Sequence, residues 1–162
     1  MSRAFVKDES DAPPPPPLER TVSQAPNRVT PRGARLIEAE IARLEAALAQ
    51  APDAAAGALL QRDLRYWTTR RATAQLQQPG PAPTAAGFGL RVTLRRSGRE
   101  QQVDLVGEDE AEPAQGRVAW TSPLARAIEA AEPGEFIELP GAAGVEEIEI
   151  VAVAPIPDEP NS

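Results

Sequence analysis

A helical hairpin followed by an antiparallel sheet that carries one helix, an α+β protein, is the architecture this sequence predicts, on three observations. Apolar residues recur at alternating spacings of four and three between residues 30 and 77, the mark of helices packed along one stripe. Beyond residue 88 the apolar period drops to two, the mark of half-buried strands. Between these regions lies PGPAPTAAG, starting at Pro79, a linker by composition.

Taken in order, residues 1–26 include DAPPPPPLER and little that could bury itself, so a disordered or polyproline tail is expected. The N-terminus lacks the apolar run of a secretory signal and no later segment approaches a membrane span, which makes the cytoplasm the expected compartment.

Residues 27–78 are the predicted hairpin. In TPRGARLIEAEIARLEAALAQ, Ile37, Ile41, Leu44 and Leu48 form a coiled-coil seam, with Thr30 as N-cap and Pro31 at the first helical position. Pro52 should stop this helix and Asp53 should cap the next. The second helix is expected from Ala54 to Gln77, with Leu60, Leu64, Trp67, Arg71 and Ala74 on its seam. Two matching seams joined by a short turn run antiparallel. Each arm of roughly 18 to 24 residues would be about 27 to 36 Å long. Arg71 on the seam must snorkel or pair, so the base of the hairpin is expected to open there.

Residues 79–87 are the expected linker and 88–154 the sheet domain. Val92 and Leu94, Val103 and Leu105, Val118 and Trp120, and Ile148 and Ile150 mark strands, with a turn at SGRE and another at PGAAG. Ser122 followed by Pro123 opens a helix, PLARAIEAA, ending before Pro133 and Gly134. Residues 155–162 are expected to be a second disordered tail.

Cysteine and histidine are both absent. That excludes disulfides, zinc-thiolate sites, thiol nucleophiles and the usual general base. A metal would have to be a hard cation held by carboxylates. Charge divides along the chain: residues 28–78 hold eight arginines against five acids, and residues 79–162 hold six against fifteen. A nucleic-acid contact therefore belongs to the hairpin, because phosphate repels an acidic domain.

Three groups of residues are candidates for chemistry or binding. Asp53 at the hairpin turn is a helix N-cap or a magnesium ligand, and the cap explains it without metal. Arg32, Arg35, Arg43, Arg62 and Arg65, with Arg28, Arg70 and Arg71, are either a basic stripe facing RNA or solvation of a helical surface. Glu108, Asp109 and Glu110 lie in a loop where consecutive side chains diverge, which disfavours a metal site and leaves a solvated acidic loop. Ser122 has no histidine to activate it; as an N-cap it fixes Pro123, Leu124 and Arg126 in a first turn that can face a partner.

TPRGARLIEAEIARLEAAL, FGLRVTL, VGEDEAEPAQGRVAWTSPLARAI, EPGEFIELP and VEEIEIVAV follow one another in the order of the bacterial Gre transcript-cleavage factors and their short-hairpin relatives, which the chain resembles from about Asn27 to Val153. The resemblance implies a C-terminal domain similar to FK506-binding proteins that docks at the rim of the RNA polymerase secondary channel. The contact would run through Glu108, Asp109, Glu110, Ser122, Pro123, Leu124 and Arg126, with the coiled coil inside the channel near the nascent RNA 3′ end. The protein would be a monomeric regulator, not itself an enzyme, without a cofactor of its own.

Family members that stimulate cleavage carry an acid pair at the hairpin tip that helps hold polymerase-bound magnesium and its water. Here the tip holds Asp53 alone, and Asp63 on the second arm reads as a salt-bridge partner. The resemblance therefore implies docking more strongly than cleavage. Two other readings stay beside it: a regulator of nucleoside diphosphate kinase type, and a prolyl isomerase. The isomerase is disfavoured because Phe88, Trp120 and Phe136 are the domain's only candidates for an aromatic pocket.

Overall fold

The computed structural model describes residues 12–158. The first eleven residues of the expected leader and the last four of the expected C-terminal tail lie outside that range.

The sequence from Thr30 turns helical where expected. Thr30 accepts a hydrogen bond from the Gly33 amide at 3.0 Å and Pro31 opens α1 (Pro31–Ala49). After a short turn, Asp53 accepts from the Ala56 amide at 2.8 Å and opens α2 (Ala54–Thr73). Ile37, Ile41 and Leu44 are buried, and Leu64 and Trp67 of α2 pack on the first two. Each fully buried aliphatic side chain contributes about 1.5 to 3 kcal/mol. Leu48 lies near Gly57 at the turn and Glu38 reaches Arg71 at the far end, so the two helices run antiparallel.

Two expectations about α2 are corrected. The helix ends at Thr73, not Gln77, because Asn27 intervenes: its side-chain amide donates to the Arg70 carbonyl at 2.7 Å and its own carbonyl accepts from the Gln75 amide at 2.8 Å. The chain then forms a two-residue parallel pair, β1 (Arg28–Val29) with β2 (Gln75–Leu76). Arg71 is not on the seam; its guanidinium is exposed and 3.5 Å from Glu38. Arg70 is the buried arginine, turned toward the sheet domain, so the base of the helix pair is closed by an ion pair.

The sheet is five-stranded, in the order β5-β4-β3-β7-β6. It comprises β3 (Leu90–Arg96), β4 (Arg99–Val106), β5 (Arg117–Ala119), β6 (Phe136–Gly141) and β7 (Gly144–Pro155). Neighbours are antiparallel except β4 and β5. Ser97 and Gly98 both take positive φ, the backbone of a two-residue hairpin turn whose twist suits the flanking strands. Period-two alternation puts Leu90, Val92 and Leu94 on one buried face. There Val92 and Leu94 meet Val103, Leu105, Ile148 and Ile150 under α3 (Pro123–Ile128), which contributes Ala125 and Ile128.

The helix α3 is shorter than expected, stopping before Ala130 takes a left-handed φ of 64°. Ala86, inside the expected linker, is buried in this core and exchanges backbone hydrogen bonds with Ala130 and Ala131. On the other face of the sheet Arg91 grips Asp104 on the paired strand with two hydrogen bonds, at 2.7 and 3.0 Å.

Within residues 12–26, expected to be part of a disordered tail and without helix or strand, Glu19 and Arg20 reach the helix pair and Ser23 reaches the turn after β4. Composition missed this because the contacts are polar: Glu19 with Arg65, Arg20 with Asp63 and Tyr66, and Ser23 with Glu108.

Candidate functional site

The acidic loop after β4 folds as a single 3-10 turn, Glu108–Glu110, and its three carboxylates diverge to three different elements. Glu110 turns to the start of α1, accepting the Thr30 hydroxyl at 2.5 Å and Arg32 Nη1 at 3.3 Å. Asp109 turns to α2, accepting Arg70 Nε at 2.6 Å and the Tyr66 hydroxyl. Glu108 accepts the Ser23 hydroxyl of the leader at 3.0 Å.

This turn is therefore the joint between the helix pair and the sheet. Thr30 does two things there: one hydroxyl caps α1 and donates to Glu110. Gly33 is required beneath it, since a Cβ would stand 2.9 Å from Glu110 Oε2. Gly107 allows equally close passage against the Arg28 carbonyl, which a Cβ there would strike.

Asp109 and Glu110 are consequently not the open contact face expected of them. Glu110 is 6% exposed and the Asp109 side chain 10%, because each carboxylate leaves water only by gaining charged or hydroxyl donors. Tyr66 is half-buried beside them. Its hydroxyl is pushed up to about 12, first by loss of solvent and then by the hydrogen bond to the Asp109 carboxylate.

The second group of expected contacts is arranged differently. Ser122 accepts from the Ala125 amide at 3.2 Å, so α3 starts at Pro123 with Ala125 and Ile128 directed into the core. Pro123 and Arg126 are left exposed and Leu124 half-buried. Nearby, the Arg28 guanidinium lies 4.4 Å from the Trp120 ring centroid, a contact between β1 and the sheet domain that the sequence did not signal.

Most of the basic candidates are engaged by acids. Arg32 serves Glu110, Arg43 pairs with Glu40 at 2.7 Å, Arg62 with Asp63 at 2.8 Å, and Arg65 with Glu19. Arg35 is exposed and borders a cavity of about 90 Å³ at the joint, beside Arg32, Asp104, Glu110 and Arg117. At the helix turn Asp53 is exposed and its carboxylate holds the Ala56 amide. Of these placements, the Arg70 partnership was missed because Trp67 is followed by arginine at both the third and fourth positions, and helical spacing accepts either.

Comparison with known proteins bears on residues 81–155, which match the family described as "Transcription elongation factor, GreA/GreB, C-term". The transcription elongation factor GreB of Neisseria meningitidis serogroup A is 40% identical over 97 residues, covering 58% of this chain and 60% of that protein. The GreA of Hyphomonas neptunium is 40% identical over 68 residues, 41% and 43% of the two. The chain thus aligns with 60% or less of these relatives' lengths. Among solved structures, GreA factor homolog 1 of Thermus thermophilus aligns over 80% of this chain and 99% of its own, at 17% identity and a TM-score of 0.38. The GreA/GreB factor of Nitrosomonas europaea aligns over 78% and 98%, at 21% identity and a TM-score of 0.41. Residues 81–155 are thus a domain of the GreA/GreB C-terminal family, and the curated relatives that align with the chain bear the names of the bacterial Gre transcription elongation factors.

Proposed function

We propose that this protein binds RNA polymerase and regulates elongation from the secondary channel without stimulating transcript cleavage. The observation that carries the reading is the state of the helix turn: its one acid, Asp53, accepts the Ala56 amide at 2.8 Å as an N-cap. A polymerase-bound magnesium ion needs further oxygen ligands to activate water, and a lone carboxylate engaged by backbone supplies them poorly. In this reading the helix pair is the coiled-coil hairpin that enters the channel near the RNA 3′ end. The sheet domain, FKBP-like in this family, docks at the rim through Ser122, Pro123, Leu124 and Arg126. The outward Pro123 and Arg126 support that surface, and the inward Asp109 and Glu110 are assigned to the joint instead. The protein acts on the polymerase and is not itself an enzyme.

The test is competition on a stalled, backtracked elongation complex, reading bound factor and RNA length together. The expected result is displacement of a cleavage-stimulating Gre factor with RNA length unchanged across magnesium concentrations. RNA that shortens on addition of this protein, and no longer does so with Asp53→Ala, would establish the cleavage reading instead. Absence of any competition would refute polymerase binding.

A further inference from the structure

We propose that residues 19–23 form a displaceable strap, a built-in occupant of the α2 surface made by Asp63, Arg65 and Tyr66 that limits how far the helix pair can enter a partner. The Glu19 carboxylate accepts from both Nε, at 3.2 Å, and Nη2 of Arg65. The Arg20 guanidinium lies 3.9 Å from the Tyr66 ring centroid and 3.8 Å from Asp63. Ser23 fastens the other end to Glu108. A segment with little apolar surface has no core to join, yet Glu19, Arg20 and Ser23 each find a partner on the folded body.

The contacts are of the releasable kind. Glu19 and Arg65 are 62% and 55% exposed, and exposed ion pairs are weak and screened by salt. Ordering the segment meanwhile costs conformational entropy. The strap therefore exchanges between closed and open states, and a partner that needs the covered surface shifts the population. Release leaves the helices intact, because Tyr66 and Trp67 are held from their other sides by Asp109 and by Ile37 and Ile41.

Its position gives the strap a function, which rests on the channel reading above. The helix α2 starts at Ala54 and the strap reaches it at Asp63, so about nine residues, or about 13 Å, of helix precede that contact. Beyond that point a third layer of chain thickens the helix pair. Closed, the strap is a collar that stops insertion; open, it admits the full length of the pair and frees Arg65.

Two measurements test this separately. Alone in solution, the wild-type protein should show Arg20 side-chain proton resonances shifted upfield by the Tyr66 ring, and the shift should vanish in Glu19→Ala and at high salt. Unshifted Arg20 resonances in the wild type would overturn the strap whatever the partner. With RNA polymerase, Glu19→Ala/Arg20→Ala should bind about tenfold more tightly if the strap is closed nine-tenths of the time. A strap locked shut by a short bis-maleimide between Glu19→Cys and Arg65→Cys, clean because the chain has no cysteine, should bind more weakly than the same variant before cross-linking. Equal affinities for open, wild-type and locked proteins would overturn the collar while leaving polymerase binding standing. A wild type that does not bind polymerase at all would instead remove the channel reading and the collar with it, the resonance measurement still deciding the strap.

Discussion

Arg70 Nε stands 2.6 Å from Asp109 Oδ2, with the arginine side chain 2% exposed and the aspartate 10%, and this pair ties the helix pair to the sheet. Removing one partner strands the other charge out of water. Asp109→Ala is therefore expected to lower unfolding stability by about 3 to 5 kcal/mol, whereas Arg70→Met with Asp109→Leu should recover most of that loss. Urea denaturation of the three proteins measures both effects.

Two helical glycines should respond oppositely to alanine. At Gly57 the nearest atoms to an added Cβ lie at 3.9 Å, so Gly57→Ala should gain up to about 1 kcal/mol from helix propensity alone. At Gly33 the same Cβ meets Glu110 Oε2 at 2.9 Å and Thr30 Oγ1 at 3.4 Å, which should erase that gain and destabilise by about 1 to 3 kcal/mol. Thermal unfolding of the two variants side by side distinguishes the joint from the free helix.

Tyr66 is the single tyrosine of the chain, so the phenolate absorbance band reports it alone. Its hydroxyl should titrate at about 12, instead of near the ordinary value of 10.0. The folded state holds the proton more tightly than the unfolded state. Stability linked to this group is thus fully present below pH 10 and declines as pH rises from there through 12. Tyr66→Phe should remove that part of the alkaline loss, read as the pH dependence of the denaturation midpoint.

Asp53→Ala should lose a helix cap and about 1 kcal/mol of stability. In a backtracked elongation complex the same substitution should leave RNA length as it is with the unsubstituted protein. A normal melting curve combined with altered RNA length would reverse the assignment of Asp53 from cap to metal helper.

The parts legible in the sequence were those decided within a few residues. Thr30, Asp53 and Ser122 each accept the amide three positions ahead, a geometry fixed by the first turn of a helix. The alternation at Leu90, Val92 and Leu94 names the buried face of β3 because side chains in a strand alternate by covalent geometry. Helical phase was less decisive: it put Arg71 on the seam, one residue past the arginine that the position of Asp109 selects. Composition was least decisive for the leader, whose order comes from Glu19, Arg20 and Ser23 meeting charges and a ring on another element.

By itself, then, the sequence determined the starts and caps of α1, α2 and α3 and the apolar faces of the main strands, through propensity, periodicity and the pattern of apolar residues. The tertiary structure alone decided where Glu108, Asp109 and Glu110 point. Their partners Ser23, Arg70 and Thr30 lie 85, 39 and 80 residues away. Local sequence does not say which donor will be near: a carboxylate accepts from a serine, a guanidinium or a capping threonine alike, the guanidinium most strongly. It takes the donors that folding brings within reach, because leaving water without them costs several kcal/mol.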